Sequence, residues 1–265
     1  MLKTQNIYYN IGNKKILNDI SVEFPAGEFH IILGPNGSGK SSFLKIFSGE
    51  TNDFAGTVFY DERNIRLQKK EQLAKSRAVM SQQPELSFPL MVEEVVMMGR
   101  YPHFVFNPNK KDEAVCNEVM DRMNLQLFKD RNYLTLSGGE KQRVQFARVL
   151  AQVWEAPGTG SRYLFLDEPI ASLDINYQHQ FLQMAKSLTK ENMVVIAVLH
   201  DINLAIQYGD SILFMKEGKL VKKGKPEAII TADLVEHVFN IPVKIIETGI
   251  SSKPMVVYDQ QRTVR

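Results

Sequence analysis

An eight-residue segment in the first fifth of the chain has the composition of a loop that binds nucleotide phosphates. Its sequence is Gly34-Pro35-Asn36-Gly37-Ser38-Gly39-Lys40-Ser41, followed by Ser42. It matches the pattern G-x-x-x-x-G-K-[ST], in which glycines let successive backbone N–H groups point at phosphate oxygens. We expect Lys40 to reach the β- and γ-phosphates and the Ser41 hydroxyl to bind Mg²⁺. The segment therefore predicts binding of a nucleoside triphosphate.

Three further side chains follow apolar segments at points where chemistry is possible. Asp167 and Glu168 follow an apolar segment that begins at Tyr163, and His200 follows another, Val194 to Leu199. A carboxylate at the end of a buried strand is costly unless a cation compensates it, so we expect Asp167 to share a Mg²⁺ ion with Ser41. Because side chains alternate along a strand, Glu168 is expected to point in a different direction from Asp167.

A second glycine pair stands at the predicted start of a helix. Ser137-Gly138-Gly139-Glu140 precedes a stretch whose apolar residues recur at helical spacing. A hydroxyl group and backbone N–H groups that no side chain covers, at a helix N-terminus, favour anion binding. Since the chain already has one phosphate loop, this second loop predicts a nucleotide shared between two copies of the chain.

The elements that must position these residues follow from apolar patterning. Strands are predicted at Phe29 to Leu33, Tyr163 to Leu166 and Val194 to Leu199, because these runs are apolar throughout. Strands alternating with helices indicate an α/β fold, in which ligands bind at the carboxyl ends of the strands. Residues from about 85 to 153 contain no convincing strand and predict an inserted helical subdomain. The helices are predicted at Ser41 to Phe47, Lys111 to Met123, Gly138 to Val153 and Tyr177 to Leu188.

Composition narrows the function classes. The 265 residues include 32 basic and 30 acidic side chains, so charge alone does not imply a nucleic-acid partner. The single cysteine, Cys116, excludes an internal disulfide and favours a reducing compartment. The first residues lack the pattern of a signal peptide, and no apolar run approaches the roughly 18 to 20 residues of a membrane helix.

Two short strings offer a GTPase alternative, which we reject. They are the D-x-x-G match at Asp53–Gly56 and the N-K-x-D match at Asn109–Asp112, and neither ends an apolar strand as such motifs must. The histidines other than His200 lack the spacing of metal ligands and are interpreted as structural or solvated residues. They are His30, His103, His179 and His237.

Taken in order, these motifs resemble the nucleotide-binding subunit of an ATP-binding cassette (ABC) transporter. The resemblance covers about residues 2 to 257, leaving 258–265 as a C-terminal tail. It implies an α/β P-loop NTPase fold of the ABC-ATPase type. Such a fold has a mixed sheet core, an antiparallel β subdomain and the inserted helical subdomain at about 85 to 153.

The resemblance also implies roles for particular residues. Glu168 corresponds to the general base that polarises the attacking water, and His200 to the switch histidine that contacts the γ-phosphate. Gln82, or less favoured Gln83, corresponds to the glutamine that approaches Mg²⁺ and water, which makes Ser41, Gln82 and Asp167 the implied metal residues. The four residues from Ser137 to Glu140 correspond to the signature that covers the partner subunit's ATP.

Other positions match the family pattern less closely or have other roles. Asp174 corresponds to the loop that links the two sites of the dimer. In many relatives an aromatic residue that stacks on adenine precedes a glycine near the N-terminus, but here Ile11 precedes Gly12. Tyr9 is the candidate substitute, with an ordinary strand tyrosine as the alternative. Ile170 stands where a threonine is more usual, and Glu140 replaces the commoner glutamine of the signature.

Transport is implied by one segment in particular. Pro84 to His103 is rich in methionine and large apolar residues, which indicates either ordinary helix core or a groove for a permease helix. Its Ser-Phe-Pro, Val-Glu-Glu-Val-Val and Gly-Arg-x-Pro-His strings resemble importers of iron chelates, haem and vitamin B12. An insertion after Trp154 resembles the haem (hemin) branch of that group.

This resemblance implies ATP and Mg²⁺ as cofactors and a homodimer of cassettes bound to integral-membrane permease subunits. A periplasmic or surface substrate-binding protein is implied indirectly, and no nucleic acid is. The implied location is the cytoplasmic face of the bacterial inner membrane. A ferric siderophore or cobalamin importer is the alternative function. A cassette ATPase acting on nucleic acid or ribosomes is the less favoured one.

Overall fold

The computed structural model describes residues 1–81, 86–156, 160–171, 173–247, 249 and 252–259. Strands and helices are numbered separately in chain order. The strands are β1 (Leu2–Ile11), β2 (Lys14–Phe24), β3 (Phe29–Leu33), β4 (Ala55–Tyr60), β5 (Arg63–Asn64), β6 (Arg77–Met80), β7 (Arg162–Asp167), β8 (Met193–Val198), β9 (Ser211–Lys216), β10 (Lys219–Gly224), β11 (Val243–Ile246) and β12 (Met255–Tyr258). The α-helices are α1 (Lys40–Phe47), α2 (Lys70–Ser76), α3 (Val92–Met97), α4 (Lys110–Arg122), α5 (Gly138–Gln152), α6 (Ile175–Leu188), α7 (Ile202–Tyr208), α8 (Pro226–Ile229) and α9 (Ala232–Phe239).

A mixed sheet forms the centre of the fold, with strand order β10-β9-β3-β8-β7-β6. The strands from β9 to β6 are parallel, and β10 joins the edge antiparallel to β9. β3 and β8 are buried along their whole length, which explains their uninterrupted apolar sequences. In register, Val198 lies opposite both Ile32 of β3 and Asp167 of β7. The carboxyl ends of three neighbouring strands therefore meet at one edge.

The two faces of this sheet pack against different layers. Ile31 and Leu33 face the larger hydrophobic core, which also contains residues of α3, α4, α5 and α6. Ile32 faces the second core, which contains residues of α1 and of the antiparallel sheet. That antiparallel sheet has the order β2-β1-β4-β5. The predicted combination of a mixed sheet, an antiparallel sheet and helices is confirmed.

Helices occupy the chain between β6 and β7. In its described residues, 86–156, the backbone forms α3, α4 and α5 with short 3-10 turns, and its only pairing of strand type is the bridge between Met91 and Asn132. Gly99 lies in the turn Met98–His103 against α5, where a Cβ atom would come within 2.0 Å of the Arg148 carbonyl oxygen. Buried Arg100 donates from Nε to Asp112 Oδ1 at 3.0 Å and ties this turn to α4.

The C-terminal part of the chain forms a separate two-stranded sheet that packs beside α7. Helix α9 leads into the antiparallel pair β11–β12, and Asn203 of α7 is hydrogen-bonded to Val256 of β12. Among the described helices, none combines the length and the apolar character needed to cross a bilayer.

Candidate nucleotide site

The phosphate-loop segment joins β3 to α1 at the shared strand edge. Gly34 packs so closely under the sheet that a Cβ atom would lie 2.2 Å from the Met215 carbonyl oxygen. Gly39 has φ +96°, a left-handed conformation that favours glycine, and a Cβ there would meet Leu17 Cδ2 at 2.6 Å. The Ser38 carbonyl accepts a hydrogen bond from Gly218 N–H at 3.1 Å, which fixes the loop to the β9–β10 turn. The glycines are thus required by the loop's own geometry.

Lys40 is folded over this loop. It is 5% exposed, and its Nζ donates to the carbonyl oxygens of Gly34 and Pro35 at 2.8 and 3.0 Å. Burial lowers the pKa of Lys40, while the nearby charges of Glu168 and Asp167 act in the opposite direction. Ser38 Oγ is also buried and has no hydrogen-bond partner within the described part of the chain. A buried ammonium and an unpaired hydroxyl are suited to receive an anion.

Ser41 and Asp167 face each other across the edge of the sheet. The Ser41 hydroxyl, in the first turn of α1, donates to Asp167 Oδ1 at 3.1 Å. Burial raises the pKa of Asp167, and the hydrogen bond from Ser41 partly offsets that effect. Two oxygen donors at this distance suit a hard divalent cation. Within the described residues, no cluster of three or more His, Cys, Asp or Glu side chains is placed to hold a metal by itself.

Glu168 turns away from Asp167 and meets His200. His200 Nε2 lies 2.6 Å from Glu168 Oε1, and the Glu168 side chain is 17% exposed. Strand alternation was the expected cause of this divergence, but β7 ends at Asp167 and Glu168 has φ +51°. A left-handed residue, rather than the pleat of a strand, therefore directs this carboxylate. Its N–H still donates to the Val198 carbonyl at 3.2 Å, so the backbone of Glu168 stays attached to β8.

The glycine pair at 138–139 opens α5 as predicted. Ser137 is the N-cap: its hydroxyl accepts from Glu140 N–H at 3.4 Å, and Glu140 Oε2 accepts from Ser137 N–H at 2.7 Å. These hydrogen bonds from Ser137 lower the pKa of Glu140. Ser137 and Gly138 are exposed, so the helix N-terminus is open to solvent. A second anion-binding end is therefore available at the surface.

Asp174 caps the next helix in a similar way. Its Oδ1 accepts a hydrogen bond from Tyr177 N–H at 3.0 Å at the start of α6, and Asp174 is exposed. Before it, Ile170 is 7% exposed and belongs to the larger core. At the position where threonine is more usual, this chain therefore has a side chain that packs in the core. Gln142 of α5 donates to the Pro169 carbonyl and joins α5 to this loop.

Tyr9 lies on β1 opposite Leu17, and directly paired residues share one face of a sheet. Leu17 is the residue that packs against Gly39, so Tyr9 is placed on the face that leads to the phosphate loop. Tyr9 itself is partly buried against the second core. Ile11, by contrast, is 57% exposed. Gln82 and Gln83 lie outside the described residues.

Of the other histidines, His30 and His103 have backbone partners. Their Nε2 atoms lie 2.8 Å from the carbonyl oxygens of Pro25 and Gln152, respectively. His179 Nδ1 lies 2.6 Å from the Tyr208 hydroxyl. The residues that the motifs did not reveal are the supports of the site, above all Asn203 in the first turn of α7, the helix that follows His200. Its only sequence signal is its place three residues after that histidine.

The methionine-rich segment has two environments. Val92, Val95 and Val96 are fully buried core residues, whereas Tyr101 is exposed, as is Phe106 just beyond the segment. The exposed part borders a cavity of about 540 Å³ between this segment and α4. Acidic side chains of Glu93, Glu94 and Glu113 line the cavity. The buried valines agree with the core interpretation, and the exposed side chains leave the groove interpretation as a prediction.

The family model described as ABC transporter matches residues 17–171. A hemin import ATP-binding protein of Gloeobacter violaceus is 39% identical over 257 residues, which cover 97% of this chain and 94% of that protein.

Two solved structures are similar over most of their length. One is an inward-facing conformation of a metal-chelate type ABC transporter, with a TM-score of 0.82, 23% identity and 98% of both chains covered. The other is a dimeric structure of a bacterial ABC transporter cassette, with a TM-score of 0.71 and 27% identity. It covers 85% of this chain and 98% of the cassette.

Proposed function

Because this chain belongs to the ABC transporter family, we propose that it is the ATP-hydrolysing subunit of a bacterial hemin importer. The observation that carries the hydrolytic part is the contact of 2.6 Å between Glu168 and His200. It lies at the strand edge that also presents the phosphate loop and the Ser41–Asp167 pair. A buried anion-binding loop, a cation-binding pair and an acid–base pair are thus assembled at one edge.

ATP and Mg²⁺ fit the residues present. The loop from Gly34 to Ser41, with Ser42 next to it, supplies backbone N–H groups, and Lys40 supplies a buried charge for the β- and γ-phosphates. Ser41 Oγ and Asp167 Oδ1, 3.1 Å apart, are hard oxygen donors of the kind that Mg²⁺ prefers and would hold the ion. A Mg²⁺ ion held there would neutralise phosphate charge. Gln82 is proposed as an additional oxygen donor and Tyr9 as the adenine-stacking residue.

Hydrolysis requires a water that is oriented and relieved of a proton. In this proposal Glu168 accepts the hydrogen bond of the attacking water and draws its proton. His200 Nε2 holds the carboxylate in that direction, and the imidazole is proposed to contact the γ-phosphate once ATP is bound. Lys40 offsets the charge that develops on the transferred phosphoryl oxygens. The left-handed backbone at Glu168 separates this role from the cation-binding role of Asp167.

Two copies are proposed to complete each site. The exposed N-terminus of α5, from Ser137 to Glu140, is an anion-binding surface that would cover the γ-phosphate on the partner's loop. Asp174 lies at the exposed start of α6 and would link the two sites. The dimeric form of the related cassette supports this arrangement. ATP binding would then draw two chains together, and hydrolysis would release them.

A permease is proposed to dock in the groove beside α3 and α4. The cavity of about 540 Å³ is lined by aromatic and methionine side chains and by three acidic side chains, one of which, Glu93, already pairs with Lys129. This lining suits a short helix that carries both apolar and basic residues. We propose that residues 2–257 form one cassette, with about 85–153 as its helical subdomain and 258–265 as a tail. Its place would be the cytoplasmic face of the inner membrane, where ATP is available.

The hemin assignment rests on the relative that is 39% identical over nearly the whole chain. The transported molecule need not touch this subunit, because the permease and a periplasmic or surface binding protein would select it. No nucleic-acid partner is proposed. Ferric siderophores and cobalamin are the competing cargoes that the transport experiment below distinguishes.

The hydrolytic part is tested with Glu168→Gln, which keeps the size of the side chain and removes its charge. Steady-state ATPase activity should fall at least about 100-fold, because general acid–base catalysis contributes about 10² to 10⁴. The affinity for ATP, measured by titration in the presence of Mg²⁺, should change less than threefold. Glu62→Gln, an exposed position, is the matched control and should retain wild-type turnover. Undiminished turnover of Glu168→Gln would refute the assignment.

The transport part is tested in a strain that lacks this chain. Hemin should no longer support growth as an iron source, while a ferric siderophore and cobalamin should still be imported. Re-expression of the wild-type chain should restore growth on hemin, and Glu168→Gln should not. Loss of siderophore or cobalamin uptake with normal hemin use would show that the affected compound, and not hemin, is the transported molecule.

A further inference from the structure

The C-terminal strand pair lies beside His200. A cavity of about 50 Å³ separates them, which is large enough for a water molecule or two but not for a ligand. The wall on one side is His200 with the first turn of α7, and the wall on the other side comes from α9 and β12. The lining residues are His200, Ile202, Val235, Phe239, Ile241 and Tyr258.

Asn203 attaches α7 to β12 with both ends of its amide. Its Nδ2 donates to the Val256 carbonyl oxygen at 3.0 Å, and its Oδ1 accepts from Val256 N–H at 2.9 Å. The side chain thus pairs with an edge strand as another strand residue would. Val256 is 2% exposed, so both of its backbone groups are shielded and the loss of either hydrogen bond would be costly.

The other end of α7 is held by the same C-terminal segment. Lys253 Nζ donates to the carbonyl oxygens of Gln207 and Gly209 at 3.1 and 2.8 Å. A cation at these last carbonyls also complements the helix dipole. Helix α7 has only seven residues, too few to be stable without tertiary contacts. Residues 253–258 therefore clamp α7 at both ends.

We propose that this C-terminal clamp is a positioning element for His200, and that Asn203 is its principal positioning residue. The inference rests on the proposed ATPase function. The His200 side chain is 45% exposed, so its own packing does little to fix the imidazole against Glu168. The histidine lies between Leu199, whose N–H donates to the Ile32 carbonyl, and Asp201, the N-cap of α7, so the position of α7 helps to set the direction of the ring. Displacements near 1 Å can reduce turnover about 100-fold.

The first experiment measures Asn203→Ala in the full-length chain. The kcat for ATP should fall about tenfold, whereas KM should stay within twofold, because the phosphate loop is untouched. Lys244→Ala is the control on the same strand pair: Lys244 is 70% exposed and pairs only with Asp259 among the described ion pairs. Its kcat should stay within twofold of wild type. A wild-type kcat for Asn203→Ala would overturn the proposal.

A double-mutant cycle separates positioning from general loss of structure. If Asn203 acts through His200, Asn203→Ala should add less than a twofold loss to His200→Ala in single-turnover hydrolysis of radiolabelled ATP. A further tenfold loss in the double variant would overturn the proposal, because Asn203 would then act independently of the histidine.

A second variant keeps the test decisive if Asn203→Ala does not fold. Tyr258 is 57% exposed, so Tyr258→Ala should fold while it opens the cavity wall opposite His200. Its kcat should fall about threefold at unchanged KM, again only when His200 is present. Failure of the proposed function would be recognised separately: the wild-type chain would then lack ATPase activity, or His200→Ala would leave kcat unchanged.

Discussion

The acid stability of this fold should depend on His30, in the strand that leads to the phosphate loop. His30 is 1% exposed, and its Nε2 donates to the Pro25 carbonyl at 2.8 Å. Its buried Nδ1 has no hydrogen-bond partner among the described residues, and the Glu28 carboxylate lies 3.8 Å from it. Burial lowers the pKa of His30 from 6.5 to about 4, and the charge of Lys223 acts in the same direction. The hydrogen bond to Pro25 and the charge of Asp210 oppose this pKa shift only in part. The folded protein therefore holds this imidazole in its neutral form.

The sign of the pH dependence follows from that depressed pKa. Above about pH 6.5 the imidazole is neutral in both the folded and the unfolded chain, so it imposes no penalty. As the pH falls from 6.5 to about 4, only the unfolded chain takes up the proton, and the free energy of unfolding decreases. The difference of about 2.5 pH units corresponds to about 3 kcal/mol, of which about 2.5 kcal/mol is lost between pH 7.5 and 4.5.

Urea unfolding of the wild type and of His30→Phe at pH 7.5 and at pH 4.5 measures the contribution of His30 to the pH dependence of stability. The phenyl ring can keep the edge contact with Phe24, whose ring centroid lies 5.2 Å from the imidazole. His30→Phe loses the hydrogen bond to Pro25 at every pH, so only the change in the stability difference with pH matters. That difference should shift by about 2.5 kcal/mol in favour of the variant at pH 4.5. Equal pH slopes for the two proteins, with exposed His237→Gln as the control, would refute the reasoning.

Three more predictions concern packing and assembly. Gly99→Ala should lower the free energy of unfolding by more than about 2 kcal/mol, because its Cβ would meet a backbone carbonyl of α5 at 2.0 Å. The control is Gly138→Ala, whose Cβ would have open space around it. In the same urea titration this control should change the free energy of unfolding little. Arg100→Met should cost about 3 to 5 kcal/mol by leaving Asp112 buried and unpaired, and the loss should shrink when Asp112→Leu is added. If sites are shared between copies, mixing the inactive variants Lys40→Ala and Gly138→Asp should restore ATPase activity. In each mixed dimer, the intact phosphate loop of one copy faces the intact signature of the other, so one site is complete. No recovery of activity on mixing would count against shared sites.

The sequence predicts the central strands because burial on both faces leaves a continuous apolar run. β3 begins and ends where the pattern indicates, and β7 and β8 differ from their predicted bounds by one residue. The pair β11–β12 gives no such signal, since its residues alternate irregularly between buried and exposed. Its position depends on Asn203, 53 residues away in sequence from Val256. Long-range hydrogen bonds of this kind leave no periodic trace in the chain.

The candidate site shows the same division between local and long-range causes. The phosphate loop can be recognised from the sequence because local backbone geometry requires glycine there, as the φ of +96° at Gly39 shows. The divergence of Asp167 and Glu168 was expected from strand alternation, yet its cause is the left-handed conformation that ends β7. A single sequence contains no signal for this conformation, because glutamate rarely adopts it.

The left-handed conformation of Glu168 has a cost that only the site explains. A non-glycine residue in this region carries strain on the order of 1 to 3 kcal/mol, which glycine would avoid. Glycine would also remove the carboxylate that meets His200. An extended residue would continue the pleat of β7 and direct the side chain elsewhere, whereas the turn keeps the N–H of Glu168 on the Val198 carbonyl. The strained residue thus allows two adjacent carboxylates to serve different partners, Ser41 through Asp167 and His200 through Glu168.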